Sequence, residues 1–479
     1  MKIFARLAGS AALFTVLWLL SVPEGSTMPH FSRKYRTSCV TCHEAFPKRN
    51  AVGEAFRMRG FRFVDDDTYR KQEPVELGDP AYRRLWPHAI SPTTLPDRIP
   101  MSFVGRFLAE IDLGGDREES FTFLFPEELE MVVGDAMGEK ISFYGDVIYI
   151  SKDFAGGEVI ESWINAKAWL QFQNVIGPEN VFNLKVGTVG TNGMGLYTAR
   201  DANTFTTHFY QYSTWGMPAV NPALSGLTVF DGNDFTLQPL AGIEVNGVGQ
   251  RWLYAGGLVS GDVINPVNEI PEDSFYMVGV SEKAPSDLFL QLAYKIGGLP
   301  LDGSAAKAES PLSADPEFWR DDHCMVSLFG YLGSADIVIH DSAGLTSQSE
   351  DDFWRLGLGF QAKYKDLTLG AAVMLGNNDN PYGRLSPQSV DTTAWMAEAY
   401  YFVYPWLIPY VRYESLDLDL PSGVAGLNPN QDRDRIIVGA RAAIRPNIMA
   451  NLEASFYNED EEIEQGVYDT LFVLLHIAF

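Results

Sequence analysis

From about Ser102 onward, apolar and polar residues alternate with a period of two. That pattern confines the chain to strands with two unlike faces. Phe103, Gly105, Phe107, Ala109 and Ile111 are apolar or small, while Arg106 and Glu110 face the other way. Ile141, Phe143, Gly145, Val147 and Tyr149 alternate with Ser142, Tyr144 and Asp146. Trp395, Ala397, Ala399 and Tyr401 alternate with Met396, Glu398 and Tyr400, and Leu452, Ala454 and Phe456 with Asn451, Glu453 and Ser455. One apolar and one charged face suit a barrel with lipid outside and water inside. A soluble sandwich shows the same alternation.

Three features favour the barrel. Connections alternate between tight turns, at Lys365-Asp366, Tyr404-Pro405 and Arg445-Pro446-Asn447, and long stretches at 191–236, 299–322, 335–352 and 416–432. Aromatic residues gather near strand ends, in Tyr400-Tyr401-Phe402 and Tyr404-Pro405-Trp406, as an interfacial girdle requires. The last stretch places Leu471, Val473, Leu475, Ile477 and Phe479 on one face. A terminal alternating strand ending in Phe resembles the signal read by barrel-assembly machinery. The expected fold is mainly β: an outer-membrane β-barrel of about 16 antiparallel strands, from 16 to 18 candidates. Parity does not close. Three strands fall between the apparent short turns at 282–286 and 365–366, where an even number is required.

Composition narrows the class. The chain has 479 residues with 21 Tyr, 30 Phe, 10 Trp and 43 Gly. After the N-terminal apolar run no second run is long enough for a membrane helix. Its formal charge of -26 argues against nucleic acid as a partner. The charge is uneven. Residues 28–63 hold Arg33, Lys34, Arg36, Lys48, Arg49, Arg57, Arg59 and Arg62 against Glu44 and Glu54, a net +6. Residues 1–27 carry +1, so the remaining 416 residues carry -33. Complementary potential of this kind favours docking of the basic segment into the acidic body.

The basic segment contains Cys39-Val40-Thr41-Cys42-His43. Cys-x-x-Cys-His is the attachment signature of c-type haem. Two thiols one turn apart add to the two haem vinyl groups, and the following histidine becomes the proximal iron ligand. A redox dithiol or half a zinc site are the competing readings. No second ligand pair is spaced for zinc, and Cys324 lies far away in Asp321-Asp322-His323-Cys324. Residues 1–26 read as a secretory signal, with Lys2 and Arg6 before an apolar run. Export and haem c attachment support each other. Around the motif, Pro47 can open a helix and Gly60 can close it, with Ala51, Ala55 and Met58 on one face. Met58 is a candidate distal iron ligand or a core methionine, and Met28, His30 and His88 are rivals.

The run Pro29-His30-Phe31-Ser32-Arg33, the motif Cys39 to His43, and then Phe46-Pro47, Asn50, Gly53, Phe56 and Gly60-Phe61 resemble the start of the fused monohaem cytochrome–porins. These are outer-membrane cytochromes of iron-oxidising bacteria. The close match covers about 35 residues, and the barrel matches in length, pattern and ending. The resemblance implies one covalent haem c on Cys39 and Cys42 with His43 as proximal ligand. It also implies electron transfer from extracellular Fe(II), or another redox partner, to periplasmic c-type cytochromes.

The chain is therefore divided into a signal peptide (1–26), a helical monohaem cytochrome segment (27–63) that plugs the barrel from the periplasmic side, a Pro-rich connector (64–100) and the outer-membrane barrel (101–479). Acidic stretches such as Glu350-Asp351-Asp352 and 459–462 either concentrate a cationic donor or are plain solvated loops. The alternatives to inward electron transfer, with possible Fe(II) oxidase activity, are a diffusion porin gated by its haem segment and outward transfer to an extracellular acceptor.

Overall fold

The computed structural model describes residues 30–35, 37, 39–45, 48–63, 75–76, 94–95, 99–114, 121–153, 159–190, 227–231, 237, 240–261, 284–304, 320–341, 346–381, 389–419, 433–445, 447–457 and 469–478. The signal peptide, Met28, Pro47, His88, the acidic stretch 459–462, Phe479 and most of the connector lie outside the described residues.

Sixteen strands close into one antiparallel barrel. Numbered β1 to β16 along the chain, they are Met101–Asp112, Phe121–Met137, Ile141–Asp153, Val159–Phe172, Asn183–Val189, Leu240–Val248, Trp252–Val259, Asp287–Gly297, His323–Asp341, Thr346–Tyr364, Leu367–Asn378, Val390–Tyr401, Leu407–Asp419, Arg433–Arg445, Ile448–Tyr457 and Thr470–Ala478. The ring closes where β16 pairs with β1, from Thr470 opposite Asp112 to Ala478 opposite Val104. A short extra strand, Leu227–Asp231, pairs with the far end of β9.

The alternation becomes two faces of the ring. On β8, Leu288, Leu290 and Leu292 point outward and are exposed, while Asp287, Phe289 and Lys295 point inward and are buried. β9 and β10 follow the same rule with Val326, Leu328, Leu356 and Leu358 outside. An apolar outer band on a closed sheet suits lipid, because no backbone group is left at an edge. No helix among the described residues is long and apolar enough to cross a membrane. A closed antiparallel barrel with an apolar outer band is the architecture that strands take in an outer membrane.

Register assigns the connections to two ends. Turns 138–140, 249–251, 365–366, 402–406 and 446–447 lie at the end where β1 begins and β16 finishes. Short turns mark the periplasmic end. Two expectations need correction. The 298–322 connection belongs to the periplasmic end, since His323 pairs with Gly297 and with Lys363. Of the expected turn at 282–286, the described residues 284–286 precede β8 at the opposite end, because Asp287 pairs with Val259. Parity then closes at 16. The stretch 335–352 is a tall hairpin rather than a long loop, with β9 and β10 paired as far as His340 and Thr346.

Exposed Tyr364, Tyr401, Tyr404 and Trp406 ring the periplasmic rim, with Tyr404 and Trp406 stacked at 5.5 Å. Tyr400 and Phe402 depart from the expected girdle and face inward, 2% and 3% exposed. The inner face is not uniformly wet. Along β5 to β13, Val189, Leu240, Phe289, Phe329, Met374 and Leu416 belong to one buried apolar cluster. From β13 round to β2 the wall is charged but paired: Arg435 to Glu414 at 2.6 Å, Tyr410 to Glu453 at 2.6 Å, and Arg106 to Glu127 at 2.8 Å.

If the outer band meets lipid, Leu328→Arg should cost about 2–4 kcal/mol of unfolding free energy in bilayer vesicles. Native barrels should also migrate faster in denaturing gels before heating than after it.

Candidate functional site

Cys39–Thr41 forms a single 3-10 turn, and the Cys42 N–H donates to the Cys39 carbonyl at 3.1 Å. Thr37 and Thr41 hydroxyls meet at 2.6 Å across its base. His43–Ala45 then pairs with Lys48–Arg49 as a short hairpin, with His43 opposite Arg49. Two short helices flank the motif: α1 (His30–Tyr35) and α2 (Ala51–Met58). α2 starts later than Pro47 because Asn50 is the stronger start signal, its side chain accepting from the Gly53 N–H at 2.9 Å.

Asn50 also ties helix to motif. Its backbone N–H donates to the Cys42 carbonyl at 3.0 Å and its side-chain amide to the Thr41 carbonyl at 3.1 Å. Gly53 permits this approach, since a Cβ there would lie 2.1 Å from the Cys42 carbonyl oxygen. Gly60, at φ 67°, closes the helix as expected. Arg49 and Arg57 flank the Glu54 carboxylate at 2.6 and 2.9 Å. Burial pushes Glu54 up, but the two guanidinium groups outweigh it and hold the carboxyl at about 2.

Tyr35, Phe56, Phe61 and Phe63 form a buried aromatic cluster, with Phe31, Cys42 and Val52 packed against it. Phe61 extends it to the barrel wall, stacked on Trp169 of β4 at 5.6 Å, with Tyr144 of β3 beside it. Burial pushes both thiols up, Cys42 to about 12 with the neighbouring Cys39 adding to the effect.

The segment touches opposite sides of the barrel at its periplasmic end. On one side Lys34 pairs with Asp135 of β2 at 2.6 Å. Ser102 of β1 accepts from the His30 backbone N–H at 2.8 Å and lies 3.0 Å from His30 Nδ1. On the other, Glu44 pairs with Lys363 of β10 and accepts from the Tyr400 hydroxyl of β12 at 3.4 Å. Arg62 donates to the Gly138 carbonyl at 3.1 Å, and Arg59 pairs with Glu179 in the 173–182 connection. Arg57 reaches Glu54 rather than the wall.

The candidate distal ligands separate. Met58 is packed against Val248, Leu253 and Leu301. These are contacts of a core methionine. His30 lies on the wall, its Nδ1 turned to the Ser102 hydroxyl. Burial pulls its pKa down to about 3, so the imidazole is neutral. Met28 and His88 are outside the described residues. His323 opens β9, with Nδ1 3.4 Å from Asp321, while Cys324 faces outward. Among the described residues no group of three or more His, Cys, Asp or Glu side chains is arranged to hold a metal ion. Sequence reasoning did not single out Asn50, Lys34 or Glu44 as contacts. It missed Ser102, Asp135, Lys363 and Tyr400, whose only signal was an inward position on a strand.

The Cys39–His43 donor set fits a covalent haem. Both cysteines are free and one turn apart, Cys42 is packed against the buried aromatic cluster, and an imidazole follows in sequence.

No protein-family model and no curated protein matches the chain. Solved structures similar to it are outer-membrane proteins. A loop-deletion mutant of OmpT from Vibrio cholerae aligns at TM-score 0.45 and 10% identity, covering 80% of this chain and 99% of that one. An anion-selective porin from Comamonas acidovorans aligns at TM-score 0.46 and 12% identity, covering 79% and 98%. The channel DcaP of Acinetobacter baumannii aligns at TM-score 0.46 and 10% identity, covering 79% and 96%.

Asn50→Ala should cost about 1 kcal/mol for the lost cap, and more for the lost tie to Thr41. Gly53→Ala should destabilise the segment further, read as faster cleavage of residues 30–63 by added protease. The depressed Glu54 pKa stabilises the segment above the usual glutamate value of about 4.3. That contribution should fade as pH falls from there towards about 2. Protease protection of the segment should follow this window and flatten in Glu54→Gln.

Proposed function

We propose that this protein is an outer-membrane c-type cytochrome carried inside a porin-like barrel, moving electrons between an extracellular donor and periplasmic c-type cytochromes. The observation that carries the reading is the position of the Cys39–His43 turn: inside the periplasmic mouth, braced against opposite walls by Lys34–Asp135 and Glu44–Lys363. Haem c, when bound, supplies one-electron transfer. The chain's part is structural and electrostatic. Cys39 and Cys42 would hold the haem through their thiols and His43 would ligate its iron, beside the buried aromatic cluster of Phe56 and Phe61. The resemblance to cytochrome–porins makes Fe(II) the expected donor. The paired inner charges leave less unbalanced acidity to gather cations than the formal charge implies.

The barrel alone favours a second reading, a porin whose segment 27–63 is a plug or gate.

Peroxidase-active haem should stay on the chain in denaturing gels and vanish in Cys39→Ala with Cys42→Ala. Stopped-flow mixing with Fe(II) should reduce the oxidised protein within the mixing experiment, and no reduction by Fe(II) would remove it as donor. Lys34→Glu with Arg59→Glu should loosen the segment, slow reduction by an external donor and raise single-channel conductance. A rise in conductance with reduction unchanged would favour the gated porin.

A further inference from the structure

Glu44 directly follows His43, and both its carboxylate oxygens are used by the wall: Oε1 by the ammonium of Lys363 and Oε2 by the Tyr400 hydroxyl at 3.4 Å. The pair is deeply buried, with side chains 8% and 1% exposed. The Lys48 ammonium sits 4.4 Å from the centre of the Tyr400 ring, and that of Lys363 5.3 Å from Phe402. Within the His43–Ala45 strand the pairing shifts between His43, opposite Arg49, and Ala45, opposite Lys48, which places Glu44 at an irregularity beside His43. The wall therefore holds the residue that directly follows His43.

We propose that Glu44 and Lys363 form a positioning and tuning pair, which fixes the His43 strand to the barrel and sets the redox potential of the site through two opposed buried charges. This rests on the haem reading above. An electron arriving at a bound ferric iron removes one unit of positive charge. A nearby carboxylate favours the ferric form and a nearby ammonium the ferrous form. In a site screened from water these effects are larger than at a surface. Breaking one partner leaves the other buried and unpaired, which destabilises the docked segment and leaves its charge acting alone on the iron.

Spectroelectrochemical titration of the purified holoprotein against a one-electron mediator tests this. Glu44→Gln should raise the midpoint potential and Lys363→Gln should lower it, while Glu44→Asp stays near wild type. The exchanged pair, Glu44→Lys with Lys363→Glu, re-forms the contact even if either single variant fails to assemble. It puts the positive charge on the His43 strand and should raise the potential. A purely structural role would move both single variants the same way. Covalent haem retained with potentials unmoved, or moved in one direction, overturns the inference alone. A wild-type chain without covalent haem overturns the haem reading itself.

Discussion

In hydrocarbon an unpaired backbone N–H or C=O costs several kcal/mol, so a strand-built span must close on itself. Here closure falls to the pairing of β16 with β1 and of β5 with β6, the latter across the 190–239 connection. The consequences run inward. A ring of sixteen strands encloses more space than its own side chains fill in small barrels. This chain occupies the periplasmic mouth with residues of its own N-terminal segment and lines part of the wall beyond with a buried apolar cluster. Segment and barrel are thus two halves of one packing problem.

The segment is held by a few buried charges rather than by a broad apolar interface. Buried ion pairs add little net stability against an apolar substitute, yet breaking one is costly. They therefore specify where a group sits more than how tightly it folds. Lys34–Asp135 and Glu44–Lys363 act from opposite walls, and Phe61 on Trp169 and Met58 against Val248 and Leu301 supply apolar contacts. The excess of bases in 28–63 is spent on named partners: Asp135, Glu179 and the Gly138 carbonyl.

Much of the fold was legible in the sequence because alternation has a direct physical meaning in a sheet. Arg106 and Glu110 against Phe107 and Ala109 gave the two faces of β1 correctly. Alternation does not say what covers a face, so the apolar inner wall at Phe289 and Phe329 read as though it met water. Nor does it say at which end a connection lies. The 298–322 stretch looked extracellular by length, and only its register with Lys363 and Gly297 returned it to the periplasmic end. In the site, Cys39, Cys42 and His43 stand out in the sequence because covalent haem attachment would demand their spacing. Alternation put Tyr400 on the Glu398 face opposite Tyr401, yet its place in an aromatic run at a strand end drew it into the expected girdle. Lys363 and Ser102 carried no local signal at all, since their role comes from a partner more than 70 positions away in sequence.

The account stands on the haem-bearing segment lying inside the barrel mouth, and proximity of Lys34 to Asp135 tests that most directly. The most informative measurement is cross-linking of Lys34→Cys with Asp135→Cys by a short thiol-reactive bridge in outer membranes, followed by haem staining. The account predicts one bridged, haem-stained band whose segment resists protease added from the periplasmic side. A chain that does not bridge, and whose stained segment is cleaved away from an intact barrel, would contradict it.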